Sequence, residues 1–260
     1  MHRHLQLFAL LMATLWLVDG GLRGEIHAAP PAAAYVTQLT NIVRLVSPGA
    51  SRSAVLRECV GDGTVIQTGA NSRAELTFAD QTIVRLAANT AFSFKNGSRD
   101  LNLSRGAVLV ESSKNGRGAK IHAGKITANI AGTTAMLEYY PGMCKFVVLT
   151  GNSRLYRPGH IGDSVLIGPG QMVIGNPNDP VSDPVDFDIG RFVKTSRFLV
   201  NLPPLPSAPL IASEARHQQR EISSKTLIET NMVIHGGGTL VSLVSPPNQS
   251  PATTKKHEKN

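Results

Sequence analysis

GDGTVIQTGANSRAELTFADQTIVRLAANTAFSFKNGSRDLNLSRGAVLV, residues 61–110, is a series of short alternating runs divided by small polar turns. Ala74, Leu76 and Phe78 share one face of a run whose other face carries Arg73, Glu75 and Thr77. That period of two is the signature of a half-buried strand. Asp80 and Gln81 turn the chain, and Thr82, Val84 and Leu86 form the next inward set. Phe92 with Phe94 and Leu101 with Leu103 follow, and Ala107 to Val110 is apolar without interruption. About five strands at this spacing predict an all-β sandwich or barrel.

Working outward, the same rhythm extends in both directions. Upstream, Val36 to Val46 and Ala54 to Val60 read as strands separated by the turn cluster SPGASRS at 47–53. Downstream, Ile121 to Ala123, Ile126 to Ile130, Ala135 to Tyr139, Lys145 to Leu149 and Met172 to Ile174 continue it, with Pro141–Gly142 as a strong turn signal. The β domain is therefore expected over 36–175.

Residues 1–28 read as a secretory signal. A weakly basic start is followed by the apolar run LQLFALLMATLWLV at 5–18 and the break Gly20–Gly21. The run is shorter than the roughly 20 apolar residues of a spanning helix. Cleavage after Ala28 is expected, with an uncleaved anchor as the alternative. Residues 176–260 read as a Pro-rich and Asp-rich linker, a short amphipathic helix built on Ile189, Phe192, Val193 and Leu199, and a mostly irregular, disordered tail. Within that tail, Met232 to Ile234 and Leu240 to Val244 around the glycines 236–238 suggest a short hairpin.

Composition excludes little: 260 residues with 42% hydrophobic and 17% charged are ordinary for a globular chain. The net charge of +8 invites an anionic partner. Its cations are dispersed, however, and no zinc-finger, RNP-like or helix-turn-helix pattern occurs, so nucleic acid is not expected. His122 and His160 have no partner at metal-site spacing. Asp179, Asp183, Asp186 and Asp188 lack the spacing and terminal Glu of a calcium loop and fit a linker with a helix cap. No GxSxG, HExxH or paired CxxC is present, so the chain is not expected to be an enzyme or to hold a cofactor. Cys59 and Cys144 are the only cysteines. In an exported chain they invite a disulfide, the alternative being two buried free thiols.

One ordered set of small motifs resembles the FecR domain family. Gly61–Asp62, Thr68–Gly69 leading into Ala74–Glu75–Leu76, Asp80, Leu86 with Asn89–Thr90, and Leu103 with Arg105–Gly106 occur in the family's order. Gly132–Thr133, Val147 to Gly151 and Gly170–Gln171 continue it over about 110 residues. Gln81 departs from the pattern, standing where a glycine is usual. The resemblance implies an extracytoplasmic domain of stacked short strands, a β-sandwich or a solenoid-like arrangement, that senses or binds. Well-known members hold a sigma factor through a cytoplasmic segment and relay the state of a TonB-linked siderophore transporter. The few residues ahead of the apolar run are too short for that segment, so a non-catalytic binding scaffold, periplasmic or secreted, is the leading expectation. Its partner would be an envelope protein or a cell-wall glycan, with no stable transmembrane span in the mature chain. A regulator of TonB-linked uptake without its own cytoplasmic segment and a carbohydrate or cell-wall binding module are the alternatives. For the last of these, Tyr140 and Tyr156 are the candidate contact residues.

Overall fold

The computed structural model describes residues 34–95, 97–113, 118–237 and 239–247. The signal reading at 1–28 and the end of the tail from 248 lie outside the described residues.

The alternating runs form two packed sheets. The strands are β1 (Ala34–Thr40), β2 (Val43–Ser47), β3 (Ala50–Ser53), β4 (Cys59–Val60), β5 (Val65–Thr68), β6 (Arg73–Phe78), β7 (Ile83–Leu86), β8 (Ala91–Lys95) and β9 (Asp100–Glu111). They continue with β10 (Ala119–Ala123), β11 (Ile126–Ile130), β12 (Thr134–Tyr140), β13 (Met143–Thr150), β14 (Ser153–Tyr156), β15 (Ser164–Ile167), β16 (Gln171–Gly175) and β17 (Val185–Asp186). Pairing places β4-β1-β6-β7-β9-β12-β13-β16-β17 in a first sheet and β3-β2-β5-β8-β9-β10-β11-β14-β15 in a second. The fold is thus all-β as the period-two pattern predicts, and of the forms left open the two packed sheets make it a sandwich.

β9 belongs to both sheets and joins them. Its first half pairs with β8 and, in parallel, with β10, while its second half pairs with β7 and β12. The change of sheet needs a change of face, and the register supplies it. Ala91 pairs with Arg105 and Phe92 with Leu103, so Ser104 is an extra residue. One extra residue reverses which side chains face inward. Leu101 and Leu103 point into the core before the bulge, Val108 and Val110 after it. Gly106 follows directly with φ of +95°, and a Cβ there would lie 2.4 Å from Thr90 Oγ1 and 2.5 Å from Thr90 Cα. Only glycine fits the corner. The unusual Gln81 likewise sits at φ 67°, the left-handed conformation for which glycine is the ordinary choice.

Leu76, Phe78, Val84, Phe92, Phe94, Leu103, Ile121, Leu137 and Phe146 come from both sheets and fill the sandwich interior. A second apolar cluster lies on the opposite face of the first sheet, from Ala107, Leu109, Met136, Val147, Leu149 and Met172. This explains why the second half of β9, from Gly106 to Glu111, and most of β12 and β13 are buried continuously rather than on alternate residues.

The cover on that face is residues 185–245. The short helix read from sequence is α1 (Ile189–Thr195), capped by Asp188, whose carboxylate accepts from the Arg191 backbone N–H at 2.9 Å. A second helix, α2 (Ala208–Ser223), and the hairpin β18 (Ile228–Gly236) with β19 (Thr239–Ser245) complete the layer. Phe187, Ile189, Phe192, Phe198, Leu205, Ile211 and Val241 pack onto the sheet. α2 is polar on average, and Ile211 and Gln218 are its buried positions. Its anchorage is polar. Gln218 donates to the Phe187 carbonyl at 2.7 Å and accepts from the Ile189 N–H at 2.9 Å. Ser207, at the start of the helix, gives both its N–H and its hydroxyl to Glu111 of β9, at 2.9 and 2.7 Å. Burial raises the Glu111 carboxyl above its ordinary range, against the lowering effect of these Ser207 bonds.

The two cysteines are free. Of the two readings left open by the sequence, the Cys59–Cys144 disulfide is not formed, and of the two thiols only Cys144 is buried; the sheet gives the reason for the missing bond. Cys59 lies in edge strand β4 and Cys144 in β13, separated by β1, β6, β7, β9 and β12. Six strand spacings along the sheet come to about 29 Å, against a Cα limit of about 7 Å for a disulfide. Cys59 is exposed, while Cys144 is buried with its thiol pushed up to about 12, first by burial and then by Glu138. Thiol labelling of the folded protein is expected to modify Cys59 and to spare Cys144 until denaturant opens the sandwich. Equal labelling rates would contradict the burial of β13.

Candidate binding site

The seam between the sandwich and the C-terminal layer holds a cleft of about 460 Å³. Its sheet side comes from the β5–β6 turn at Asn71, the start of β6 at Arg73, the β7–β8 turn at Asn89, and Tyr140 at the end of β12. Its other side comes from Lys194 and Thr195 of α1 and from Arg197, Val200 and Asn201 in the segment that follows. A second cleft of about 470 Å³ lies between α1 and α2 and is apolar, lined by Val193, Leu199, Leu202, Leu205 and Ile211.

Local chemistry explains how the first cleft is held open. Asn71, Asn89 and Asn201 all adopt positive φ, 54°, 55° and 60°, a conformation that Asn tolerates better than other side chains with a Cβ. Each turns its chain at the rim. Arg73 reaches from β6 to the carbonyls of Arg197 and Val200 at 3.0 and 3.3 Å and so pins the segment carrying Arg197 and Asn201 over the sheet. Beneath it, Arg85 is 2% exposed and bonded to Glu75 at 2.7 Å. Its remaining donors reach the carbonyls of Phe198 and Pro203 at 2.7 and 2.6 Å. Glu75 also accepts from Thr37 at 2.7 Å. Two arginines of adjacent strands thus tie one irregular segment to the sheet.

The electrostatics are one-sided. Arg73, Lys194 and Arg197 line the cleft, no carboxylate lines it, and none of the three forms an ion pair among the described residues. Burial raises the Tyr140 phenol above its ordinary value, Glu138 adds to the rise and Arg105 opposes it. Tyr140 is therefore a neutral hydroxyl at ordinary pH, able to donate or accept.

The two tyrosines singled out from sequence separate. Tyr140 reaches the cleft from the first sheet, whereas Tyr156 is half-buried on β14 of the second sheet, opposite Thr127. Tyr139 points the other way, into the core, with its hydroxyl against Gly124. The cationic and amide residues of the cleft lie between positions 71 and 201 and share no spacing, so the sequence does not link them as one site. The local hint was Asn in the turns ANSR at 70–73 and AANT at 87–90. Asp179, Asp183, Asp186 and Asp188 form no group of metal-ligand geometry among the described residues.

The chain is an all-β sandwich with a helical layer over one sheet and a polar cleft at the seam. The FecR protein family matches over residues 64–153, and the chain carries a FecR domain. The matched stretch runs from β5 to the start of β14 and includes the β9 crossover. Two crystal structures of a candidate anti-sigma factor from Parabacteroides distasonis, at 1.65 and 2.50 Å resolution, are similar to part of the chain. Each aligns at 16% identity and TM-score 0.42 over 47% of this chain and 59% of the other, less than two thirds of that protein's length. No curated protein matches.

Proposed function

We propose that this chain is a non-catalytic FecR-domain protein, exported by residues 1–28 and acting in the bacterial envelope, periplasmic or secreted, as a sensing or binding scaffold. The observation that carries the reading is the cleft at the seam of sandwich and C-terminal layer, which Arg73, Lys194 and Arg197 line with no carboxylate among the lining residues. A non-catalytic role is supported by its lining, where no carboxylate, histidine or cysteine stands beside Ser72, Tyr140 and Lys194 to activate them. No described helix is long and apolar enough to cross a membrane.

The test is fractionation with intact-mass measurement. The protein is expected in the envelope fraction or the medium with its first residues removed after Ala28. Full-length protein confined to the cytosol would overturn the reading. A second reading, a regulator of TonB-linked uptake or sigma-factor signalling, is favoured by the FecR match itself. Cross-linked pulldown from envelope fractions separates the two: recovery of a TonB-linked transporter or an anti-sigma protein supports the regulator.

A further inference from the structure

We propose that the cleft beside Tyr140 binds an acidic oligosaccharide, one whose negative charges are sugar carboxylates. The inference rests on the binding-scaffold reading and names the ligand class of that site. The uncompensated cations fix the sign of the ligand. Lys194 and Arg197 are exposed, and Arg73 is half-exposed and bonded to two backbone carbonyls, so their charges face the cleft rather than a partner carboxylate. An arginine fork matches a carboxylate in two parallel hydrogen bonds.

The remaining polar groups fix the class. Asn71, Asn89 and Asn201 each offer a donor and an acceptor, and Tyr140 adds a hydroxyl. Such pairs suit the vicinal hydroxyls of a sugar, which donate and accept at neighbouring atoms. A cleft of about 460 Å³ has room for two or three sugar rings and is larger than a lone phosphate needs. Nucleic acid is a poorer fit. It calls for an extended basic stripe and stacking aromatics, whereas this site is a bounded cleft whose one aromatic is a half-buried tyrosine.

The experiment is titration calorimetry of the full chain with trigalacturonic acid, with neutral maltotriose, and with inorganic triphosphate. The double variant Lys194→Glu/Arg197→Glu, both at exposed positions, is compared with Tyr140→Phe, which keeps the ring. Trigalacturonate is expected to bind one-to-one, maltotriose and triphosphate at least about tenfold more weakly, and the double variant to lose about tenfold or more with an unchanged far-UV spectrum. Tyr140→Phe is expected to weaken binding by a smaller factor. Absent binding of trigalacturonate, equal binding of triphosphate, or unchanged affinity in a folded double variant would each overturn the proposal. None of those outcomes touches export or partner capture, which judge the scaffold reading separately.

Discussion

Lys145→Met is expected to destabilise the protein by about 3–5 kcal/mol, because it leaves a buried carboxylate without its counter-charge. Lys145 and Glu138 face each other on β13 and β12 at 2.6 Å, and each side chain is 1% exposed. They stand on the outer face of the first sheet, which would be wet if the sandwich ended there. The β18–β19 hairpin covers them: a Cβ at Gly236 would lie 2.8 Å from Glu138 Oε1, so the turn packs directly on the carboxylate. Glycine at that point is needed for the close approach. Replacing both members, as Glu138→Leu/Lys145→Met, is expected to recover most of the loss, since two apolar side chains carry no desolvation cost. Urea unfolding of the single and double variants measures the coupling. A single variant within about 0.5 kcal/mol of the parent would mean that the hairpin does not cover the pair.

Gly106→Ala carries the other large effect, expected at about 3 kcal/mol or more. Two costs add. The residue has φ of +95°, and the new methyl group would strike Thr90 at backbone as well as side chain, 2.5 Å from its Cα. Thr90 cannot retreat, since its hydroxyl bridges the backbone N–H and carbonyl of Ala107 at 3.1 and 3.2 Å, and its own N–H donates to Thr68 at 2.9 Å. The comparison is Gly142→Ala, with φ of +82° but open space around it, expected to cost only about 1–2 kcal/mol. A similar shift of the denaturation midpoint in both would show that the crossover is not tightly packed.

The sandwich was legible because its strands obey period two and its turns are marked by Gly, Asn and Asp. The runs at 74–78, 92–94 and 101–103 point inward as read. The C-terminal layer was legible only in part. α1 was visible through Ile189 and Phe192, and the hairpin through its glycines, but α2 is fastened by Gln218 and Ser207 rather than by an apolar stripe. The strongest hint lay elsewhere: Ala107 to Val110 is apolar on both faces, and a strand buried twice needs a second layer. The cleft was hidden for a different reason. Its residues come from two turns, a strand end, a helix end and an irregular segment, so no local pattern links them. The disulfide failed on distance across the sheet, a quantity that sequence separation does not encode.

The C-terminal layer, residues 185–237 and 239–245, folds onto the sandwich as part of one structure and so completes the cleft. Native-state hydrogen exchange tests it most directly. Amides of α2 and β19 are expected to exchange with the same free energy of opening as those of β9 and β13, rising and falling together as urea is added. Rapid exchange throughout 208–223 and 239–245 while β9 and β13 stay protected would contradict the claim.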